Sequence, residues 1–316
     1  MRIKSFAPLL LLPLIWGCYY VASNAAVAQL SVFAVGIAIR LGTLVLLTAL
    51  MAARGQLPEL LQVRHIWPRL VLIGTLGFLL DVTAFWGLTL CPAGIGTVLL
   101  KCDILFVNLI SAVLYRVRFT ARDWLFTLLM LGGVVLVLGI DFSRVQLGGA
   151  GNLLFILSAL FVSINAFVIQ SVQHDARNPA GDNVVAYYNN LFTLIYFTGF
   201  AALRGDLAQL ARVPQNSALM AALGAAALGQ TLIYVVYYYD LRRFPVWIVK
   251  VFLLLMPIVA SVLSYFLFGQ SMRASQLAGM AVVLAGACGI LLEQRRKAAR
   301  KSAAGAAVPS AGGAAT

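Results

Sequence analysis

Ten runs of predominantly apolar residues, each near the ~20 residues a helix needs to cross a bilayer, follow one another with only short connections between them. They fall at 6–28, 31–53, 69–90, 93–115, 123–140, 150–172, 184–203, 217–239, 246–268 and 275–292. In hydrocarbon every backbone N–H and C=O must be satisfied within the chain, so runs of this length fold as helices. The predicted fold class is an all-α membrane protein with ten transmembrane helices. The chain is 62% hydrophobic and 10% charged, against about 25% charged residues in soluble domains. No connection is long enough to hold a soluble domain.

The net charge of +13 would point to nucleic acid in a soluble protein. Here the basic residues lie mainly in short loops and the C-terminal tail, where they set orientation, and a nucleic-acid partner is excluded. With the N-terminus inside, 16 Lys and Arg fall in inside segments, 4 in outside loops and 3 within spans. That asymmetry predicts a multi-pass protein of the cell inner membrane with both termini cytoplasmic. The start of the chain also resembles a signal peptide, with Arg2 and Lys4 before an apolar run and Ala26-Val27-Ala28 after it. Cleavage there would remove one member of the repeat described next, so retention is expected.

The two halves echo each other. Lys101 and Lys250 are 149 residues apart, Arg40 and Asn190 150, and the pairs Gly132/Gly279 and Gly139/Gly286 147. The segment ISAVLYRVRF answers VASVLSYFLF. A unit of five spans repeated once is inverted across the membrane, because five is odd. The expected organisation is a first five-helix unit over 1–145, a second over 146–292 and a disordered basic tail over 293–316. Inverted repeats put substrate sites near the midplane between the halves and work by alternating access.

Charges inside spans carry most of the functional signal. Arg40, Lys101 and Lys250 are the basic ones, Asp81 and Asp103 the acidic ones. A charge at bilayer depth costs roughly 2.5–3.5 kcal/mol on insertion scales, so it faces a protein interior or a water-filled path. Two readings of the lysines stand open. They can converge on a cavity and neutralise an anion, or be tied down within the bundle, Lys101 by Asp81 or Lys250 by the cytoplasmic end of its own helix. Regular helical winding sets Asp103 about 200° from Lys101, so the two do not share a face. Asp81 can pair with Arg40 or Lys101. The acids serve a proton relay or simple charge compensation, and Arg40 reads as structural or gating. Asn190, the repeat partner of Arg40, is neutral.

Aromatic side chains add an apolar lining. Tyr234 and Tyr238 share a face at i, i+4, as do Trp16 and Tyr20; Trp and Tyr also gather at membrane interfaces for ordinary reasons. The glycines near 132, 139, 279, 286 and 289 permit close helix packing, within the chain or at a dimer seam. Pro257 is placed to kink the ninth span. Cys18, Cys91, Cys102 and Cys288 show no metal-type or disulfide spacing, and His65 and His174 are far apart. No metal or cofactor is implied. No catalytic motif is present, neither GxSxG, HExxH nor a Walker-type loop, which argues against an enzyme.

Trp16-Gly17 on the first span, Arg40 on the second, Pro257 before VASVLSYFLFGQ on the ninth and QLAGMAVVLAGACGILL on the tenth give the chain its family likeness. In their order it resembles the ten-helix EamA-type branch of the drug/metabolite transporter superfamily, over about 6–292. The family often has Gly-Glu where this chain has Gly269-Gln270, and a Pro near the position of Asn108. Locally, VLLKCDILFVNLISAVLY and IVKVFLLL resemble the fourth and ninth helices of plastid-type phosphate translocators. That likeness implies Lys101 and Lys250 as anion ligands, with Val251 standing where those proteins have an Arg and so removing a bidentate phosphate contact.

The expected function is a secondary active transporter of a small organic solute, anionic or zwitterionic, working by alternating access. Lys101 and Lys250 would hold the negative group. Tyr234, Tyr238, Trp16 and Asn190 would complete the binding site, and Asp81, Asp103 and Arg40 would serve coupling or charge compensation. Coupling to protons or to a counter-substrate, in a monomer or homodimer embedded in lipid, completes the expectation. Two rivals remain: an exporter of amino acids or hydrophobic amphiphiles with structural lysines, and a lipid flippase or subunit of an envelope-synthesis complex.

Overall fold

The computed structural model describes residues 7–27, 29–90, 99–116, 119–138, 150–176, 178–256, 258, 259, 262, 266 and 273–306. Among them the regular elements are all helical. The first half holds α1 (Ala7–Val27), α2 (Val32–Ala53), α3 (Trp67–Leu90), α4 (Asp103–Leu114) and α5 (Ala121–Leu138). The second holds α6 (Ala150–Gln173), α7 (Asp182–Arg204), α8 (Ser217–Arg243), α9 (Val246–Leu253) and α10 (Ala274–Ala306). Among the described residues, four helices are individually long and apolar enough to cross a membrane: Val32–Ala53, Arg64–Ala84, Ala150–Gln173 and Ser217–Arg243. A fifth candidate is the pair formed by α7 and the 3-10 segment Asp206–Gln215, bent by 106°. Gly205 makes that bend at φ 74°, a left-handed conformation that glycine adopts without steric cost. Cys91, Gly139, Pro257, Gly269 and Gln270 lie outside the described residues, as does the tail over 307–316.

The inside-out distribution of polarity identifies the solvent. Leu10, Leu11 and Leu14 on α1, Leu41 and Val45 on α2, Leu109 and Val113 on α4, and Leu125, Leu128 and Leu136 on α5 point outward. Arg40, Lys101, Asp103, Asn108, Ser163, Asn165, Asn189, Asn190, Gln230 and Lys250 are buried. Water would reverse this arrangement; lipid selects it. The chain is a multi-pass membrane protein.

Packing respects the two halves. Helix α2 packs on α7, α4 on α9 and α5 on α10. The contact of α3 with α6 has its counterpart in α8 with α1, that of α3 with α7 in α8 with α2, and that of α4 with α6 in α9 with α1. Exchanging the halves maps this set onto itself. Equivalent positions also meet across the exchange axis: Asn190 Nδ2 donates to the carbonyl of Arg40 at 2.8 Å, and Lys101 and Lys250 lie in one electrostatic neighbourhood.

The glycines predicted to bring helices close do so between α5 and α10. A Cβ on Gly133 would come within 2.6 Å of Val283 Cγ2 and 2.9 Å of the Gly279 carbonyl, and one on Gly286 within 2.4 Å of Met130 Cγ. Gly132 faces open space. Helix α10 continues to Ala306, with Glu293 buried and paired with Arg122 at 3.5 Å. The segment is rich in Ala, Glu, Gln, Lys and Arg, which prolong a helix already nucleated by packing.

Two ends of the bundle can be told apart. At one, the α2–α3 connection docks on the α6–α7 connection. Asn183 Nδ2 donates to Gln56 Oε1 at 2.7 Å, Tyr188 Oη to the Leu60 carbonyl at 2.7 Å, and His65 Nε2 to the Asn178 carbonyl at 3.1 Å. Arg69 is ion-paired with Asp175, and Arg242 with Asp182 at 2.6 Å. A cavity of about 500 Å³ lies among Gln56, Glu59, His65, Asn178, Asp182 and Arg242. At the other end Ser31 N donates to Gln209 Oε1 at 2.7 Å and Asn216 Nδ2 to Gln29 Oε1 at 2.8 Å. A smaller cavity of about 180 Å³ there is lined by Phe33, Val82, Trp86, Arg204 and Asp206.

Candidate functional site

The interior charges gather in two clusters rather than one. The first joins α2, α3 and α8. Arg40 donates from Nη2 to Asp81 Oδ2 at 2.9 Å and from Nη1 to Tyr234 Oη at 2.7 Å. Its guanidinium carbon lies 5.8 Å from the Tyr234 ring centroid. Of the two partners the sequence allows Asp81, the structure selects Arg40. Helix α7 supports this group: Asn190 donates to the Arg40 carbonyl, and Asn189 Nδ2 donates to Tyr238 Oη at 2.7 Å. The guanidinium thus has hydrogen-bond partners within the protein itself.

The second cluster joins α4, α9 and the turn before α4. Lys250 Nζ lies 3.0 Å from Asp103 Oδ2 and 5.6 Å from the centroid of the Tyr237 ring. The main chain of Asp103 is pinned by Ser163 Oγ, which donates to its carbonyl at 3.0 Å. Lys101 is also buried; its Nζ makes a contact of 3.9 Å with Met256 Sδ, and it feels the charges of Asp103 and Lys250. The sequence separates Lys101 from Asp103 by 200° of helix. Cys102, the turn residue between helical 99–101 and the start of α4, keeps a right-handed helical conformation at φ −64°, and both side chains are buried. The pairing of Lys250 with Asp103 was not among the bridges that the sequence suggested, because it depends on how α4 crosses α9.

Aromatic rings connect the clusters. Tyr234 meets Tyr238 edge-on at 5.6 Å, Tyr238 meets Tyr237 at 6.0 Å, and Tyr237 meets Trp16 at 5.6 Å. The predicted residues therefore separate into Arg40, Asp81, Tyr234, Tyr238 and Asn190 on one side and Lys101, Asp103 and Lys250 on the other. Trp16 joins the second group through Tyr237, a ring that the sequence shows only as one of several tyrosines. Ser163 and Met256 carry no sequence signal of their own. Among the described residues no group of three His, Cys, Asp or Glu could hold a metal ion.

The interior is polar, the shell apolar, and two like halves meet at buried charges. The model of the EamA-like transporter family matches residues 6–139 and again 149–292. The family match makes this a membrane transport protein for small solutes rather than an enzyme. The chain belongs to the EamA-like transporter family. A solved crystal structure is similar over 94% of this chain and 99% of its own, at 19% identity and a TM-score of 0.75. No curated protein matches the chain.

Proposed function

We propose that this protein is a secondary active transporter of a small organic anion or zwitterion, with ten spans in two inverted repeats and both termini in the cytoplasm. The observation that carries the reading is the charge of the second cluster. Two ammonium groups share one carboxylate, so the cluster carries a net +1 in a lipid-enclosed interior. Asp103 engages Lys250, while Lys101 has a thioether for its hydrogen-bonding neighbour. An excess cation in such surroundings calls for an anion, and a carboxylate or phosphate ester supplies one. Tyr237, Tyr238, Tyr234 and Trp16 offer an apolar wall to the organic part, with Asn190 and the Arg40–Asp81 pair behind it.

Inversion follows from the odd number of spans per half and fits the exchange symmetry of the packing. The inner membrane and cytoplasmic termini fit the grouping of the basic residues. Arg54, Arg64, Arg69, Arg242 and Arg243 belong to the end where 54–66, 174–181 and 241–245 meet, while Arg204 and Arg212 belong to the other. On this orientation the docked connections close the cytoplasmic end, as alternating access requires of one of its states.

Purified protein is screened by melting temperature against organic phosphates, carboxylates and amino acids. A ligand at 100 times its Kd stabilises by about 2.7 kcal/mol. Lys101→Gln and Lys250→Gln each bring the cluster to neutrality and should weaken the hit by about 10- to 150-fold, the worth of one charged hydrogen bond of ~1.5–3 kcal/mol. An anion whose affinity survives both substitutions would refute the assignment, and a zwitterionic amino acid that does so would establish the rival exporter.

A further inference from the structure

Asp240, in the last turns of α8, is completely buried. Neither of its carboxylate oxygens has a hydrogen-bond partner. The other buried acids among the described residues are engaged: Asp103 by Lys250, Asp123 by Thr120, and Glu293 by Arg122. From the sequence Asp240 looks like an ordinary interfacial acid, since it precedes Leu241-Arg242-Arg243 at the end of a span. The fold turns it inward.

Among the elements packed against α8, the 3-10 segment Asp206–Gln215 meets it at the end remote from Asp240, with Asp206 paired with Arg204 at 3.8 Å and Arg212 exposed. Described α1 carries no acid or base beyond its Cys and Tyr side chains, and α6 carries none. Arg40 of α2 is held by Asp81, Asp182 of α7 by Arg242, and Lys250 of α9 by Asp103. On α8 itself Arg243 is exposed, with its guanidinium carbon 4.0 Å from the Tyr239 ring centroid. Its charge reaches Asp240 through space, without a hydrogen bond. An ionised carboxylate that is buried and unpaired is severely penalised, and the group escapes the penalty by taking up a proton. A metal ion would need several oxygen ligands, whereas a proton needs one, and one carboxyl is what this position offers.

We propose that Asp240 is a proton-binding site of the transporter, occupied while this end of the bundle is closed and emptied when water reaches it. The inference rests on the alternating-access reading above and names the coupling ion for it. Tyr237 stands three residues earlier on the same face of α8 and lies against Lys250. The proton site is therefore about one helical turn from the cluster proposed to hold the anion. An ionised Asp240 would repel an anion there, so proton and anion favour each other's binding.

The test is infrared titration of the protein reconstituted in lipid, from acidic to alkaline pH. Wild type should show the C=O stretch of a protonated carboxylic acid that persists at neutral pH and disappears on alkaline titration. Asp240→Asn should lack that band, and Asp240→Glu should retain it at a shifted frequency. Because the amide is close in shape to the neutral acid, Asp240→Asn should melt at the wild-type temperature; the Glu variant keeps the measurement decisive if it does not fold. A band identical in wild type and Asp240→Asn, or unmoved in Asp240→Glu, overturns the proposal. In a second arm, liposomes enclosing a pH-sensitive dye are given glycerol 3-phosphate as the probe. Proton entry in wild type that is lost in Asp240→Asn supports coupling through this residue, and undiminished entry in the variant overturns it. Absence of proton entry in wild type, with no binding of the probe, counts against the anion reading, while the infrared titration decides Asp240 on its own.

Discussion

Asp103→Asn separates an anion site from a structural salt bridge, because the two predict opposite effects on affinity. At 3.0 Å the attraction between Lys250 and Asp103 is about 5.5 kcal/mol at an effective dielectric of ~20. Desolvation offsets part of this, yet removing one partner strands the other, and such losses run at about 3–5 kcal/mol. At roughly 2–4 °C per kcal/mol, the unliganded variant should melt about 6–20 °C below wild type. The same substitution raises the cluster from +1 to +2. A carboxylate within ~6 Å of a bound anion opposes it by up to about 2.8 kcal/mol at the same dielectric, so its removal should tighten binding by up to ~100-fold. The assay is a melting curve with and without the anion from the ligand screen, followed by calorimetric titration. Affinity should order Asp103→Asn above wild type, and wild type above Lys101→Gln and Lys250→Gln. The double variant Asp103→Asn/Lys250→Gln returns the cluster to +1 and should recover much of the lost stability. A folded Asp103→Asn protein that binds the anion more weakly than wild type refutes the reasoning.

The α5–α10 contact provides a stability test: Gly133→Ala should cost about 1–3 kcal/mol by forcing the helices apart at Val283 and the Gly279 carbonyl. Gly132→Ala, facing open space, should be neutral or stabilising by up to ~1 kcal/mol, and equal melting temperatures for the two variants would contradict the packing. Cysteines at Gln56 and Asn183, whose side chains meet at 2.7 Å, should crosslink in a background without the native cysteines and arrest flux in liposomes until reduced. Full flux in the crosslinked protein would mean that the docked connections are not a gate.

Where the sequence was informative, its signal was additive along the chain. Span positions follow from summed transfer energies, so the limits of α2, α6 and α8 lie within a few residues of those predicted. The glycine spacing was legible for the same reason: a missing Cβ is a property of one position, and only its partner helix waited for the structure. Of the charges singled out by cost, Arg40, Lys101, Asp103 and Lys250 are buried and Asp81 is half-buried, while the buried acids Asp123, Asp240 and Glu293 were not singled out.

Pairing was not legible. Asp103 could reach Lys250 only because α4 crosses α9. Asp240 carries the same residues around it in sequence whether it points to headgroups or to the core; rotation of α8 about its own axis decides which. Hydropathy and charge counts determined that this chain is a helical membrane protein of two like halves, since those quantities are sums over neighbouring residues. Which charges neutralise one another, and which buried carboxyl among the described residues is left without a partner, depends on distances between residues far apart in the chain, and those distances exist only after the helices have packed.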